Sequence, residues 1–509
     1  MTSDRPGDHQ FDVIVCGAGG SGLAAAVAAA QCGGRVVVLE KQPQPGGTTG
    51  IAVGSFTAAG TSLQRAAGIV DDPRDHAEDA GKFARAEIEA RNNEPLRAWF
   101  LAEAAATIEW LESLGVSFVG PSPEPPNRVA RMHNVVPGAK AYIAALQLAL
   151  RRAGGQLLCD CDVRQLLRDD DGRVVGVRAT HNGQPLHYSA QRGVILAAGD
   201  YANSPQLIAE HNDARFAAIE GINPFATGDG HRLAETAGAR LLNMGVAYGP
   251  ELRFVPSSQR PFQQWLPVGG FSARAMGAVA RRLPTFVMRA MIKRLLVTWQ
   301  HPENALFDDG AVLVNRRGER FVDERRWPER EIAVAQQPEK VAYIVLDERL
   351  IERYSRWPHF ISTAPDIAYA YTADYLRLRP DVAVSADSLG VLATARGIDA
   401  SALAATLQTF NAYAAGMCDD LFGRSGDTAS LAGRRWMLLG PLKAYFTTTE
   451  GGAAINRRLE VLDASGDVIP GLYAVGQNGL GGMILWGHGL HIAWAMTSGR
   501  LAGQFVMGE

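Results

Sequence analysis

The stretch DVIVCGAGGSGLAAAVAAAQCGGRVVVLEK, residues 12–41, restricts the fold more than any other part of the chain. Residues 12–16 read as a buried parallel strand, the alanine-rich run Leu23 to Gln31 as a helix, and Arg35 to Leu39 as the next strand. That is a βαβ unit, which implies an open, mainly parallel sheet with helices on its faces. Between strand and helix, Gly17, Gly19 and Gly22 fit the pattern GxGxxG. The first permits a tight turn, the second lets backbone approach a pyrophosphate, and the third lets helix and strand pack closely. Gly20 and Ser21 share the loop, and the amides at the helix N-terminus are suited to phosphate. Glu40 ends the second strand. A carboxylate there can accept both ribose hydroxyls and would repel a 2′-phosphate, which argues against NADP. These residues hold a dinucleotide without choosing between FAD and NAD.

The rest of the chain sets the frame. GQLLCDCDV and GRVVGVRAT read as strands joined by a turn at Asp171-Gly172, with Cys159 and Cys161 on one face of a strand. GVILAAGD reads as a further buried strand. Near residue 245 the βαβ rhythm stops and aromatics, prolines and arginines rise; it returns near 446 with GLYAVGQ. The expected organisation is an α/β Rossmann-like domain in two segments, 1–244 and 446–509, with an inserted α+β cap over 245–445. Ligand is then expected between the parts. A net charge of −3 gives no reason to expect nucleic acid. Five cysteines without CxxC or zinc spacing suggest no metal site and a reducing compartment. With a short polar N-terminus and no apolar run of spanning length, the expected location is cytoplasmic.

Five patches, in order, resemble the flavoprotein subunits of fumarate reductase and succinate dehydrogenase and their relatives, the 3-ketosteroid dehydrogenases. They are Lys41 with PGGTTGIAVGSFTAAG, VILAAGDYANSP, FATGDGHRLAETAGARL, AVLVNRRGERFVDE, and IPGLYAVGQ with AWAMTSGRLAG. The resemblance implies FAD rather than NAD. The contacts it implies are Lys41, Gly46, Gly47, Thr48, Thr49 and Gly54 in the second loop. To these it adds Val163, Ala198, Gly199, Asp229, Gly476 and Gln477, with Leu490 and Ile492 against the pyrimidine side. Residues 43–58 contain no histidine, so FAD is expected to be non-covalent.

The reaction implied is exchange of two hydrogens across a carbon–carbon bond beside a carbonyl. That needs a hydride partner, a proton carrier and donors for the carbonyl oxygen. The histidines and arginines that hold a dicarboxylate in the fumarate branch are missing from YFTTTEGG, VAYGPE and Leu485-Trp486-Gly487, with Arg326 and Arg330 as the only stand-ins. The ketosteroid branch matches GHGLHIAWAMTSG in spacing, with Gly489 at the position of its oxyanion glycine. Its two tyrosines are absent; Trp486 and His488 stand at one place and Trp327 at the other. Candidate proton carriers are His488, ranked first because its loop must lie beside the flavin, then His491, Tyr248, Lys443 and His133. Trp265, Trp299, Trp327, Trp357 and Trp486 suggest an aromatic-walled, oily pocket for a cyclic ketone. The expected function is an FAD-dependent desaturase of an apolar, steroid-like ketone that passes electrons to oxygen, a quinone or a carrier protein. The alternatives are an enone or enoate reductase and a non-catalytic flavin-binding redox partner. The basic apolar stretch 272–300 reads either as a cap helix packed inward or, over 285–299, as a helix lying on an anionic membrane surface.

Overall fold

The computed structural model describes residues 9–257, 301–364 and 368–509, and seven positions between 279 and 298. The βαβ unit forms as expected: β1 is Gln10–Cys16, α1 is Gly20–Gln31 and β2 is Val36–Leu39. β1 lies parallel between β2 and the strand Gln184–Leu196, with Val13 opposite both Val36 and Gly193. Val13, Ile14, Val15 and all four residues of β2 are buried, as a sheet covered on both faces requires. Each such side chain contributes roughly 1.5–3 kcal/mol by leaving water.

The C-terminal segment completes this sheet. Val468–Ala474 adds in parallel to Gln184–Leu196, with Leu472 opposite Val194. The order runs Glu460–Leu462, Val468–Ala474, Gln184–Leu196, β1, β2, Gln156–Leu158. The nucleotide domain is therefore built from two separate stretches of chain. The last helix, Leu490–Met507, packs on α1 backbone to backbone. A Cβ on Gly499 would lie 2.3 Å from the Ser21 carbonyl oxygen, and one on Gly503 2.3 Å from that of Ala25. The alanines of α1 and these two glycines are small because the helices touch there.

The cap is organised on the strand Trp436–Phe446, which pairs with Ala342–Leu346, Glu251–Phe254, Ala383–Ala386 and Glu220–Gly221. Its hydrophobic core also takes in Tyr201, Leu207, Ile208 and Ile219 from earlier in the chain. Two short antiparallel ladders meet at the domain border: Leu241–Leu242 with Gly452–Ala453 links the two nucleotide segments, and Ala247–Tyr248 with Thr448–Thr449 links cap and nucleotide domain. The strands that carry Tyr248 and lead into Glu450 are thus pinned together.

One local expectation fails. Cys159 and Cys161 are not same-face residues of one strand, because Asp160 between them has φ +54° and interrupts the extended backbone. Cys161 then opens the strand Cys161–Arg168. Most of 272–300, with Trp265 and Trp299, lies outside the described residues. Of those described, Leu296 and Val297 are buried in the cap core, and Lys293 Nζ pairs with Asp374 at 3.0 Å. No described helix is long and apolar enough to cross a membrane.

Candidate active site

The glycine loop is drawn tight before any ligand is considered. Gly17 has φ +110°, and a Cβ there would lie 2.4 Å from the Ala197 carbonyl oxygen; a Cβ on Gly22 would lie 2.0 Å from that of Gly17. No other residue fits at either position. The loop is braced from β2: Glu40 Oε2 accepts the Ala18 N–H at 2.7 Å and Oε1 accepts the Gln42 N–H at 2.9 Å. Glu40 thus holds the loop, and each oxygen keeps a lone pair.

The second loop closes against the first. The Gly46 N–H reaches the Ala18 carbonyl, and Thr49 Oγ1 accepts the Gly20 N–H at 3.3 Å. Thr48 Oγ1 accepts from Asn223 Nδ2 at 2.9 Å. Lys41 Nζ bonds Asp229 at 2.6 Å and Thr227 at 2.7 Å. Val163 packs on the domain core, and its neighbour Asp162 feels both Lys41 and Asp229. The Gly54 carbonyl accepts from the Tyr142 hydroxyl at 2.9 Å.

On the far wall, Asn478 was missed in the sequence. Its Oδ1 accepts the Ala198 N–H at 2.6 Å and its Nδ2 donates to the Gly199 carbonyl at 2.8 Å. The Gly476 N–H donates to Ser498 Oγ at 3.0 Å, and Gln477 Nε2 reaches Thr448 Oγ1 at 3.0 Å. The tight turns, the carboxylate and the facing amides fit an extended dinucleotide.

The catalytic candidates divide. Tyr248 and Trp486 meet edge to face, ring centroids 5.4 Å apart. Trp486 Nε1 is a buried donor with no partner among the described residues. His488 is bound to Glu124: its backbone N–H donates to Oε1 at 2.8 Å and its Nδ1 lies 2.6 Å from the same oxygen. That hydrogen bond holds the His488 imidazole above its ordinary value, although the side chain is 61% exposed. Gly489, φ +81°, caps the last helix; a Cβ there would lie 2.8 Å from Thr57 Oγ1, which itself donates to the His488 carbonyl. His491, the second residue of that helix, has Nε2 2.8 Å from Glu450 Oε1.

The other candidates lie elsewhere. His133 is buried between Thr61 Oγ1 and the Phe56 carbonyl, and burial pushes it down to about 4. Lys443 pairs with Glu220 at 3.2 Å. Trp327 is 44% exposed, donates to the Pro250 carbonyl and lies under the Arg85 guanidinium. Trp357 is 63% exposed, against Phe360 and Tyr369. Arg330 is buried but spent on Glu331, Asn304 and the Glu324 carbonyl; Arg326 is exposed.

Of the described tryptophans expected to wall the site, Trp486 lies against Tyr248, while Trp327 and Trp357 are exposed. Burial pushes the Tyr248 phenol up to about 12, and Glu251, Glu124 and Glu450 push the same way against Arg253. The Arg253 guanidinium is bonded to Glu251 at 2.9 Å and to Thr447 Oγ1 at 3.2 Å. Asp200, next to Gly199, is buried and pushed up to about 6 by desolvation. Sequence reasoning missed Glu124, Asp200, Glu251 and Glu450 because it searched their neighbourhoods for histidine, arginine and glycine.

The sequence matches the FAD binding domain family over residues 12–262 and 268–486. The chain belongs to this family. It is similar to the cytochrome-type fumarate reductase of Shewanella frigidimarina, 27% identical over 503 residues, covering 97% of this chain and 76% of that protein. It is similar, also at 27% identity, to the vinyl phenol reductase of Lactiplantibacillus plantarum, covering 97% of this chain and 96% of that one. Among solved structures, the open conformation of a flavocytochrome c3 fumarate reductase matches with TM-score 0.71 and 25% identity, over 98% of this chain and 78% of that one. The 3-ketosteroid-Δ4-(5α)-dehydrogenase of Rhodococcus jostii RHA1 matches in fold, TM-score 0.59 and 23% identity, over 100% and 99%. The cofactor is FAD, and the protein is an FAD-dependent oxidoreductase of the FAD binding domain family.

Proposed function

We propose that this FAD enzyme desaturates an uncharged, ring-bearing ketone at the carbons alpha and beta to its carbonyl. The observation that carries the reading is the charge around Tyr248: Glu124, Glu251 and Glu450 against Arg253, which is already bonded to Glu251. A dicarboxylate brought there would meet the carboxylates of Glu251 and Glu450, and Arg253, the guanidinium that acts on Tyr248, is bonded to Glu251. One unit charge 4 Å from another costs about 4 kcal/mol at an effective dielectric near 20. A neutral ring avoids that cost and can lie on the apolar faces of Tyr248 and Trp486.

When bound, FAD would be held by Gly17–Gly22, Glu40, the second loop and the Ala198–Gly199 turn, and would supply a two-electron acceptor for the hydride of the beta carbon. The chain's own residues do the rest. The unpartnered Trp486 Nε1–H is suited to the carbonyl oxygen, where negative charge develops. Tyr248, pushed up to about 12, stays a hydroxyl donor at neutral pH. His488, anchored to Glu124, fixes the loop that precedes the last helix.

A second reading runs the same site in reverse, as a reductase of an unsaturated neutral substrate. Its direction is favoured by the names of both curated relatives, and its neutral substrate by one of them, since vinyl phenol carries a ring and no carboxylate where fumarate carries two. Anaerobic mixing of holoenzyme with a panel of cyclic ketones separates the two. Loss of the yellow flavin band supports desaturation. If no ketone bleaches it, while enones reoxidise the pre-reduced enzyme, the desaturase reading is lost and the reductase reading stands.

A further inference from the structure

We propose that Glu450 is a positioning residue that fixes the tautomer of His491, and that His491 Nδ1 exchanges the substrate proton. The proposal rests on the function above and names the proton carrier for it. Glu450 is fully buried, between the two ladders at the domain border, and its own N–H is bonded to the Val246 carbonyl at 2.8 Å. Its carboxylate has two assignments: Oε2 accepts the Leu485 N–H at 3.4 Å, and Oε1 lies 2.8 Å from His491 Nε2. An ionised carboxylate can only accept, so Nε2 carries the ring hydrogen and Nδ1 keeps its lone pair. Nδ1 has no partner among the described residues, and the His491 side chain is 26% exposed where that of Glu450 is 0%. The imidazole therefore has one end locked and one end open.

Its place is right for the chemistry. His491 is the second residue of the helix Leu490–Met507, between Leu490 and Ile492. The other titratable groups that face this pair are Asp200 and Tyr201, after the Gly199 turn, and Tyr248 on the cap strand. Asp200 is close enough that the His491 charge opposes its upward shift, so an imidazolium here stands between two buried carboxylates. In the desaturating direction the C–H bond alpha to the carbonyl breaks and its proton passes to Nδ1. The electron pair stays on carbon and becomes the new C=C as the beta carbon gives its hydride to the oxidised flavin. In the reducing direction the same nitrogen returns the proton. The positive charge is held at Nε2–H by Glu450.

The test is E450Q. The Leu485 N–H still needs an acceptor, so the glutamine oxygen stays there and its NH2 faces His491 Nε2. An NH2 group only donates, so the ring hydrogen must move to Nδ1 and block it. Holoenzyme labelled with 15N-histidine, with His491 assigned by its loss in H491Q, reads the tautomer by NMR without any substrate. The wild type is expected to show Nε2–H and E450Q to show Nδ1–H. Flavin bleaching by a ketone that bleaches the wild type is expected to fall on the order of 100-fold or more in E450Q at unchanged FAD content. A wild-type spectrum of the Nδ1–H form overturns the proposal whatever the variants do, and so does E450Q with wild-type bleaching. If no ketone or enone reacts with the wild type, the function reading fails while the spectra still decide the role of Glu450.

Discussion

Asp200 shows what the site costs at the scale of one residue. Desolvation raises its carboxyl from 3.8 to about 6, so the folded state binds that proton more tightly than the unfolded chain. The stability from this group is full below the unfolded value and is lost as pH rises through about 6. About two pH units correspond to about 3 kcal/mol. D200N removes the titration but keeps an acceptor for the Ala202 N–H. Urea unfolding of the holoenzyme should show the wild type losing about 3 kcal/mol relative to D200N between pH ~4 and ~7. Equal slopes for the two proteins would remove Asp200 as the cause. Individual residues differed in how far they could be read from sequence. Gly17, Gly22 and Glu40 were legible because all three fall within one βαβ unit, whose strand–turn–helix–strand pattern fixes their places. Glu124 and Glu450 were not: their histidine partners lie 364 and 41 residues along the chain, and no local pattern announces them.

At the scale of elements, the most exacting contact is between α1 and the helix Leu490–Met507. Gly503 leaves no room for a side chain beside Ala25, so G503V must push the helices apart. Overpacking of this kind costs about 1–3 kcal/mol. The helix also carries Gly489 and His491, so the displacement should lower both the melting temperature and the retained FAD, read by thermal unfolding and by flavin absorbance per polypeptide. A variant that melts and binds FAD like the wild type would contradict the packing described. The strands of the nucleotide sheet were readable as apolar runs, since a sheet buried on both faces has no alternation to hide them. The break at Asp160 was not, because a left-handed aspartate looks like any other aspartate in sequence.

For the whole molecule, the sequence predicted a nucleotide domain in two segments, and the sheet built from β1, β2 and Val468–Ala474 has that form. What it did not predict is the character of the space between the domains. Tryptophans counted along a chain say nothing of where they point, and Trp327 and Trp357 are largely exposed. On the function proposed here, selectivity comes instead from carboxylates that three separate parts of the chain bring around Tyr248: Glu251 from the cap, Glu124 and Glu450 from the nucleotide domain and its border. The claim that this charge excludes acids can be measured directly. Dithionite-reduced holoenzyme is mixed anaerobically with a neutral cyclic enone or with fumarate, and flavin reoxidation is followed by absorbance. The account predicts that the enone reoxidises the flavin at least about 100-fold faster than fumarate at equal concentration; fumarate as fast as the enone would contradict it.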